Sequence, residues 1–281
     1  MSLAKEFALA VRESLPDLDE SRLNRQRNDG KYYEDEYAEP IKRYFSERGV
    51  SSLETRYSAR WKCTPVCAIA SSARLCFLYF GNSGKNGEAA FEKGLKNDLE
   101  HPSTTKMDAV VGESFCECKC QEILSTSHTP LNKRYLDSEL FQKFGVEKYT
   151  LKPMVSTDGE TIRVWKALQF DVAELGIKYE KSVDYTRLHL DLKQMICHLI
   201  AIANECKGKP AVLQYVFFTP NREQIKKYPK VADLYEELKR EWSAVTAHDT
   251  AISKFADEHK IKIAEPKYVE IGSVKDFLLN P

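Results

Sequence analysis

The sequence predicts an α/β protein of the α+β kind, with a central mixed β-sheet flanked by helices. Three stretches carry that expectation. Residues 105–121 read as two strands joined by a tight turn. Residues 211–219 (AVLQYVFFT) form a nearly continuous apolar run, which suits an interior strand covered on both faces. Residues 184–205 carry the longest helical periodicity: Leu188, Leu192, Met195, Leu199 and Ile202 form an apolar stripe, broadened by Ile196 and Ile200.

Composition narrows the class. At 281 residues the chain is one large domain or a core with an appended module, and 42% apolar residues suffice for a sizeable core. Lys+Arg and Asp+Glu balance at 42 each, which argues against a generally polybasic binder. A nucleic-acid enzyme stays open, because only a local patch must be basic and a bound metal adds positive charge. The N-terminus lacks the cationic-then-apolar pattern of a secretory signal, and no stretch approaches the roughly 20 apolar residues of a membrane span. A cytoplasmic protein without membrane contact is expected. The eight cysteines then read as reduced thiols. Cys63 and Cys67 are four apart, but Cys116, Cys118 and Cys120 alternate along a strand and cannot easily gather around one zinc ion.

In chain order, residues 3–15 give an amphipathic helix with Phe7, Ala10, Val11 and Leu15 on one side, ended by Pro16. Residues 22–30 are polar, and Arg25, Arg27 and Lys31 read as a solvated face rather than phosphate contacts. Residues 31–48 return to a helical pattern that Pro40 divides or kinks. Leu53 to Trp61 is a strand or an irregular segment. Residues 71–80 are a buried helix turn or a strand, and 82–87 a loop without the Gly-x4-Gly-Lys-Ser/Thr phosphate-binding pattern. Residues 88–100 read as a helix, with Phe91, Leu95 and Leu99 at four-residue steps. Glu92 lies on its inward side, where a carboxylate needs a partner, and Glu88 has a similar azimuth one turn earlier. Residues 125–155 look like an insertion, with a helix around 138–144 and basic points at Lys133, Arg134 and Lys143. Residues 161–170 are half-apolar. On the 184–205 helix, Arg187, Asp191, Gln194 and His198 form a polar stripe that would face a wet cleft. After the turn 208–210 and the strand 211–219, helices are expected at 231–245 and 250–259. A last strand at 260–271, broken at Pro266, carries lysines that suit a sheet edge.

Side chains alternate faces along a strand, so Glu117 and Lys119 share one face roughly 7 Å apart, while Cys116, Cys118 and Cys120 point the other way into a core. If Gly112-Glu113 is a two-residue loop with Gly first, the turn is type II′, Val111 pairs with Ser114, and Asp108 falls opposite Glu117. Cross-strand partners lie about 5 Å apart at Cβ. A three-residue loop would instead set Asp108 against Cys118.

Asp108 followed by Glu117-Cys118-Lys119 resembles the Asp…Glu-x-Lys signature of the PD-(D/E)XK nuclease superfamily, with Met107 where the motif's name has Pro. Glu92 resembles that superfamily's helical acid. Gln194, four before His198, resembles the Gln-x-x-x-Tyr helix of its RecB-like branch, with His in place of Tyr. The order of elements over residues 85–220 is similar to the restriction-endonuclease-like core, and to a group of uncharacterised bacterial proteins of that kind. The resemblance implies an N-terminal, mostly helical extension at 1–84 and a nuclease core at 85–281 holding the 125–160 insertion. It implies a Mg²⁺-dependent nuclease, with Mn²⁺ able to substitute, that cuts DNA, as an endonuclease in restriction or defence. Asp108, Glu117 and Glu92 would bind the metal, Lys119 would hold the attacking water or the phosphate, and Gln194 would position. Symmetric cleavage of a duplex would call for a homodimer.

Other readings stand beside this one. The acids and lysine could be a ladder on an ordinary sheet, or the chain could be a non-catalytic nuclease-fold protein binding nucleic acid or a protein partner. His198 reads as a hydrogen-bonded helix histidine rather than a ligand, His101 and His128 fall in turns, and His189 falls on a helix surface. Ser71-Ser72 lacks a hydrolase nucleophile turn. The tryptophans read as core or interface, although Trp165, between Arg163 and Lys166, could stack on a base.

Overall fold

A six-stranded mixed sheet organises the molecule. The structure, a computed structural model, describes residues 1–15, 18, 39–47, 68–81, 89–96, 104–125, 143–144, 147–148, 154–155, 161–162, 165–166 and 188–275. The sheet strands are β1 (Ala90–Lys96), β2 (Thr104–Val111), β3 (Ser114–Lys119), β8 (Ala211–Thr219), β9 (Ile261–Ile263) and β10 (Lys267–Glu270). β1, β2 and β3 form an antiparallel meander, and β8 adds to β3 in parallel. β9 and β10 both pair with the far side of β8, also in parallel. Together they make one edge strand interrupted around Pro266, where the Gln214 amide bridges the break by donating to Glu265 O at 2.9 Å and Tyr215 O at 2.8 Å. The lysine-bearing edge expected at 260–271 is therefore present, as two pieces.

The long apolar run at 211–219 forms β8 over its whole length. Leu213, Val216, Phe217 and Phe218 are fully buried there, because helices cover both faces of the sheet. The helices are α1 (Leu3–Glu13), α2 (Glu39–Glu47), α3 (Ser72–Gly81), α4 (Leu192–Cys206), α5 (Arg222–Lys227), α6 (Pro229–Val245) and α7 (Ala251–Glu258). Ser2 caps α1, and its apolar stripe of Phe7, Ala10 and Val11 is buried as the periodicity requires, against α5 and α6. Pro40 sits in the first turn of α2, where its missing N–H removes no helical bond. Residues 71–80 settle as helix: α3 packs on β2 and β3, with Leu75, Cys76, Phe77 and Leu78 buried. Thr250 caps α7, its Oγ1 accepting from Ser253 N. Four two-residue strands, β4 (Glu147–Lys148), β5 (Met154–Val155), β6 (Thr161–Ile162) and β7 (Trp165–Lys166), pair as β4 with β7 and β5 with β6. Among the described residues no helix is long and apolar enough to cross a membrane.

Several expectations are overturned, among them the place of His189 on a helix surface: it is buried and lies outside any helix. Residues 90–96 are strand β1, not part of a helix at 88–100. A spacing of four residues is one helical turn, yet it is also twice the strand period. Phe91 and Leu95 therefore fit both, and pairing along β2 decides for the strand. Gly94 also weakens a helix there. The 184–205 helix is shorter than expected: α4 starts at Leu192, with Asp191 as its N-cap accepting from Gln194 N at 3.0 Å. Residues 188–190 are not helical, and the N–H groups of His189 and Leu190 are taken by the buried carboxylate of Glu241 on α6, at 3.0 Å each. The longest described helix is α6, with 17 residues. Arg25, Arg27, Lys31, Leu53 to Trp61, Cys63, Cys67, the 82–87 loop, Glu88, Leu99, His101, His128, Lys133, Arg134, residues 138–142, Arg187 and the Trp165 side chain lie outside the described residues.

Candidate functional site

The turn between β2 and β3 places the acids. Gly112 has φ +59°, whereas Glu113 is not among the positive-φ residues, so the two-residue loop is type II′, with Gly at the position that needs it. Val111 pairs with Ser114, Val110 with Phe115 and Ala109 with Cys116. The ladder then stops. In an uninterrupted antiparallel pair the Cys118 N–H would go to the Met107 carbonyl. Here it donates to Asp108 Oδ2 at 2.7 Å, so the Asp108 side chain takes over from the backbone as the two strands part.

The register brings in neighbours from both sides. Phe91 pairs with Ala109 and Lys93 with Met107, which sets Glu92 of β1 beside Asp108. Glu117 pairs with Tyr215 of β8. Glu92 thus stands beside Asp108 and Glu117 beside Tyr215, and the Asp108 and Glu117 carboxyls interact across the point where the ladder has ended. Glu92 adopts φ +50° in mid-strand, a left-handed conformation costing an L-residue about 1–2 kcal/mol. Its carboxylate meets Lys106 Nζ at 3.3 Å.

Both faces of β3 follow from its alternation. Cys116 and Cys118, with Cys120 just beyond the strand, are buried, and Cys118 shares a hydrogen bond with Cys76 of α3. The other face meets α4. Lys119 Nζ lies 2.5 Å from Glu117 Oε1 and donates to Gln194 Oε1 at 2.8 Å. His198 Nε2 stands 3.5 Å from Glu117 Oε2. Glu117 and His198 are 2% and 1% exposed, so the stripe Asp191–Gln194–His198 faces the interior at its far end instead of a wet cleft. Tyr215 OH and Glu117 Oε2 have no hydrogen-bond partner among the described residues.

Burial, then the charge of Glu117, pushes the Asp108 carboxyl well above its ordinary value, against the pull of Lys119 and the Cys118 N–H. Burial pulls Lys119 down, but Glu117 and Asp108 outweigh it and hold the ammonium above its usual value. Burial lowers His198 despite Glu117, which favours the neutral ring.

All five residues singled out from the sequence (Asp108, Glu117, Lys119, Glu92 and Gln194) converge here. Glu92 does so from a strand and not from the expected helix. His198, read as an ordinary helix histidine, joins them, and Tyr215 was missed: its only signal was a place in the apolar run, and the parallel pairing that brings it to Glu117 has no local signature.

Among the described residues no three His, Cys, Asp or Glu side chains are grouped to hold a metal ion. Magnesium asks for less, since it keeps several waters and binds through one or two carboxylates. The buried, unpaired Glu117 Oε2 and the raised Asp108 carboxyl beside it are the kind of donors that a hard divalent cation satisfies. No protein-family model matches the chain, and neither does any curated protein or solved structure.

Proposed function

We propose that this chain is a metal-dependent nuclease of the restriction-endonuclease-like kind, an endonuclease hydrolysing DNA phosphodiester bonds. The observation that carries the reading is the grouping of the Glu92, Asp108 and Glu117 carboxyls from three adjacent strands, with Lys119 held between Glu117 and Gln194. Asp108 and Glu117 would hold Mg²⁺ or Mn²⁺, with Glu92 beside them as a further acid. Bound there, the cation supplies Lewis acidity and an activated water for attack on the phosphate. Lys119, fixed at both ends of its contact pair, orients the water or the scissile phosphate, and Gln194 keeps its ammonium in place.

Uncatalysed phosphate-ester hydrolysis is among the slowest reactions known, so turnover depends on every member of such a set. Purified protein is expected to nick plasmid DNA with Mg²⁺ and to stop with chelator. Asp108→Ala, Glu117→Ala and Lys119→Ala should each reduce nicking to background while circular dichroism shows a folded chain. Full activity in any of the three overturns the assignment. A second reading, a non-catalytic protein of the same fold that binds nucleic acid or a protein partner, draws support from the closed Glu117–Lys119 ion pair. It would show as DNA retention in a gel shift with no nicking in either metal.

A further inference from the structure

Helix α4 and strand β3 meet at spacings that nearly coincide. Residues two apart on a strand are separated by roughly 7 Å, and residues four apart on a helix rise by about 6 Å. A helix crossing the acid face can therefore present two side chains, one turn apart, to Glu117 and Lys119 together. Gln194 meets Lys119 at 2.8 Å, and His198 comes to 3.5 Å from Glu117. The first contact is made and the second is nearly so.

That second contact joins atoms that want a partner. Glu117 Oε2 and both His198 ring nitrogens are buried without a hydrogen-bond partner of good geometry, although the Lys106 backbone lies close to the ring. A buried polar atom left unpaired costs about 1–3 kcal/mol. One proton on Nε2 gives that nitrogen and the carboxylate a shared hydrogen bond and leaves Nδ1 as an acceptor. Tyr215, beside Glu117 on β8, holds its ring centroid 6.5 Å from that of His198 and walls the pair in.

We infer that His198 is a positioning residue for Glu117, donating from Nε2–H to Oε2 and fixing the rotation of the carboxylate so that Oε1 stays on Lys119. Its catalytic consequence rests on the nuclease reading; the pairing does not. Catalytic contacts are often long in the free protein and tighten when the substrate complex forms. Partners that orient a metal ligand from behind typically contribute 10- to 100-fold to metal affinity or activity.

The experiment uses the full chain labelled with ¹⁵N-histidine, the His198 signals being assigned by their loss in His198→Asn. The expected spectrum shows the Nε2–H tautomer, and Glu117→Gln shifts it. A proton on Nδ1, or resonances indifferent to Glu117→Gln, overturns the inference. In the plasmid assay, His198→Phe keeps the ring volume and is expected to lower kcat about 10- to 100-fold at unchanged KM for DNA, with His198→Gln recovering most of the loss. Equal kcat in wild type and His198→Phe also overturns it. If His198→Phe does not fold, the wild-type and Glu117→Gln spectra decide. If wild-type protein cuts nothing while the spectra show the pairing, the nuclease reading falls and the His198–Glu117 pair stands.

Discussion

Strand β3 has two faces, both withdrawn from water, and they are built on opposite terms. Beneath α3, Cys116, Cys118 and Cys76 are small apolar fillers whose thiols stay protonated, burial pushing Cys76 to about 11 and Cys116 to about 12. On that side the strand itself presents thiols and no charged side chain, and it behaves as core. Beneath α4, Glu117 and Lys119 form an ion pair and Glu117 is as deeply buried as the thiols, yet one of its carboxyl oxygens lacks a hydrogen-bond partner among the described residues and Asp108 next to it resists ionisation. The left-handed Glu92 stands beside Asp108. Strain and unsatisfied charge persist only where the surroundings over-determine them, and they cluster at functional sites. The contrast separates what holds this sheet together from what it displays.

The largest expected effect tests the charged face directly. Glu117→Gln should bring metal-dependent nicking to background while the melting temperature changes little, because relief of the repulsion with Asp108 offsets the weakened Lys119 ion pair. A large fall in melting temperature would instead mark Glu117 as a structural residue. The opposite behaviour is expected one position on. Cys118→Ser places a hydroxyl in core and should cost about 1–3 kcal/mol in urea unfolding, with nicking retained below the new transition. Loss of nicking in a folded Cys118→Ser protein would erase the distinction between the faces.

Gly112→Ala attacks the device that assigns the faces. A Cβ there meets nothing within 4 Å, so the expected loss of about 1–2 kcal/mol comes from the positive φ alone, read as a lowered urea midpoint. An unchanged midpoint would mean that the turn is not what sets the register.

The gentlest probe is pH, in chelator. The folded Asp108 carboxyl holds its proton above its ordinary value of 3.8, so between the two values the folded state binds more protons than the unfolded chain. Its stabilising contribution is full below that ordinary value and fades as pH rises through the folded one, by at most about 1.4 kcal/mol per pH unit. Urea midpoints across that window should fall with rising pH in wild type and flatten in Asp108→Asn. A parallel slope in the variant would move the effect to another group.

Much of this was legible beforehand, for reasons that differ by element. The II′ turn needs glycine at one position, and Gly112 supplies it, so the hairpin and its facing of Asp108, Glu117 and Lys119 could be counted from the sequence. α1 carries a clear helical period and β8 a continuous apolar run, and helices are found where they were expected for α6 and α7. Residues 90–96 could not be read in the same way, because a four-residue repeat satisfies helix and strand alike. Glu92 therefore reached the correct neighbourhood from the wrong element. The start of α4 was equally hidden: it depends on Glu241, far along the chain, capturing the His189 and Leu190 N–H groups.

By itself the sequence determined the alternation of β3, the turn that aims it, the apolar run that became an interior strand and the helix stripe holding Gln194 and His198, because each follows from local patterning and local turn chemistry. Only the tertiary structure decided that β1 pairs with β2 beside Asp108, that β8 sets Tyr215 against Glu117, and that α4 lies across the acid face with His198 within 3.5 Å of Glu117. Those are contacts between distant segments, chosen by burial and backbone pairing over the whole chain, and no local pattern specifies them.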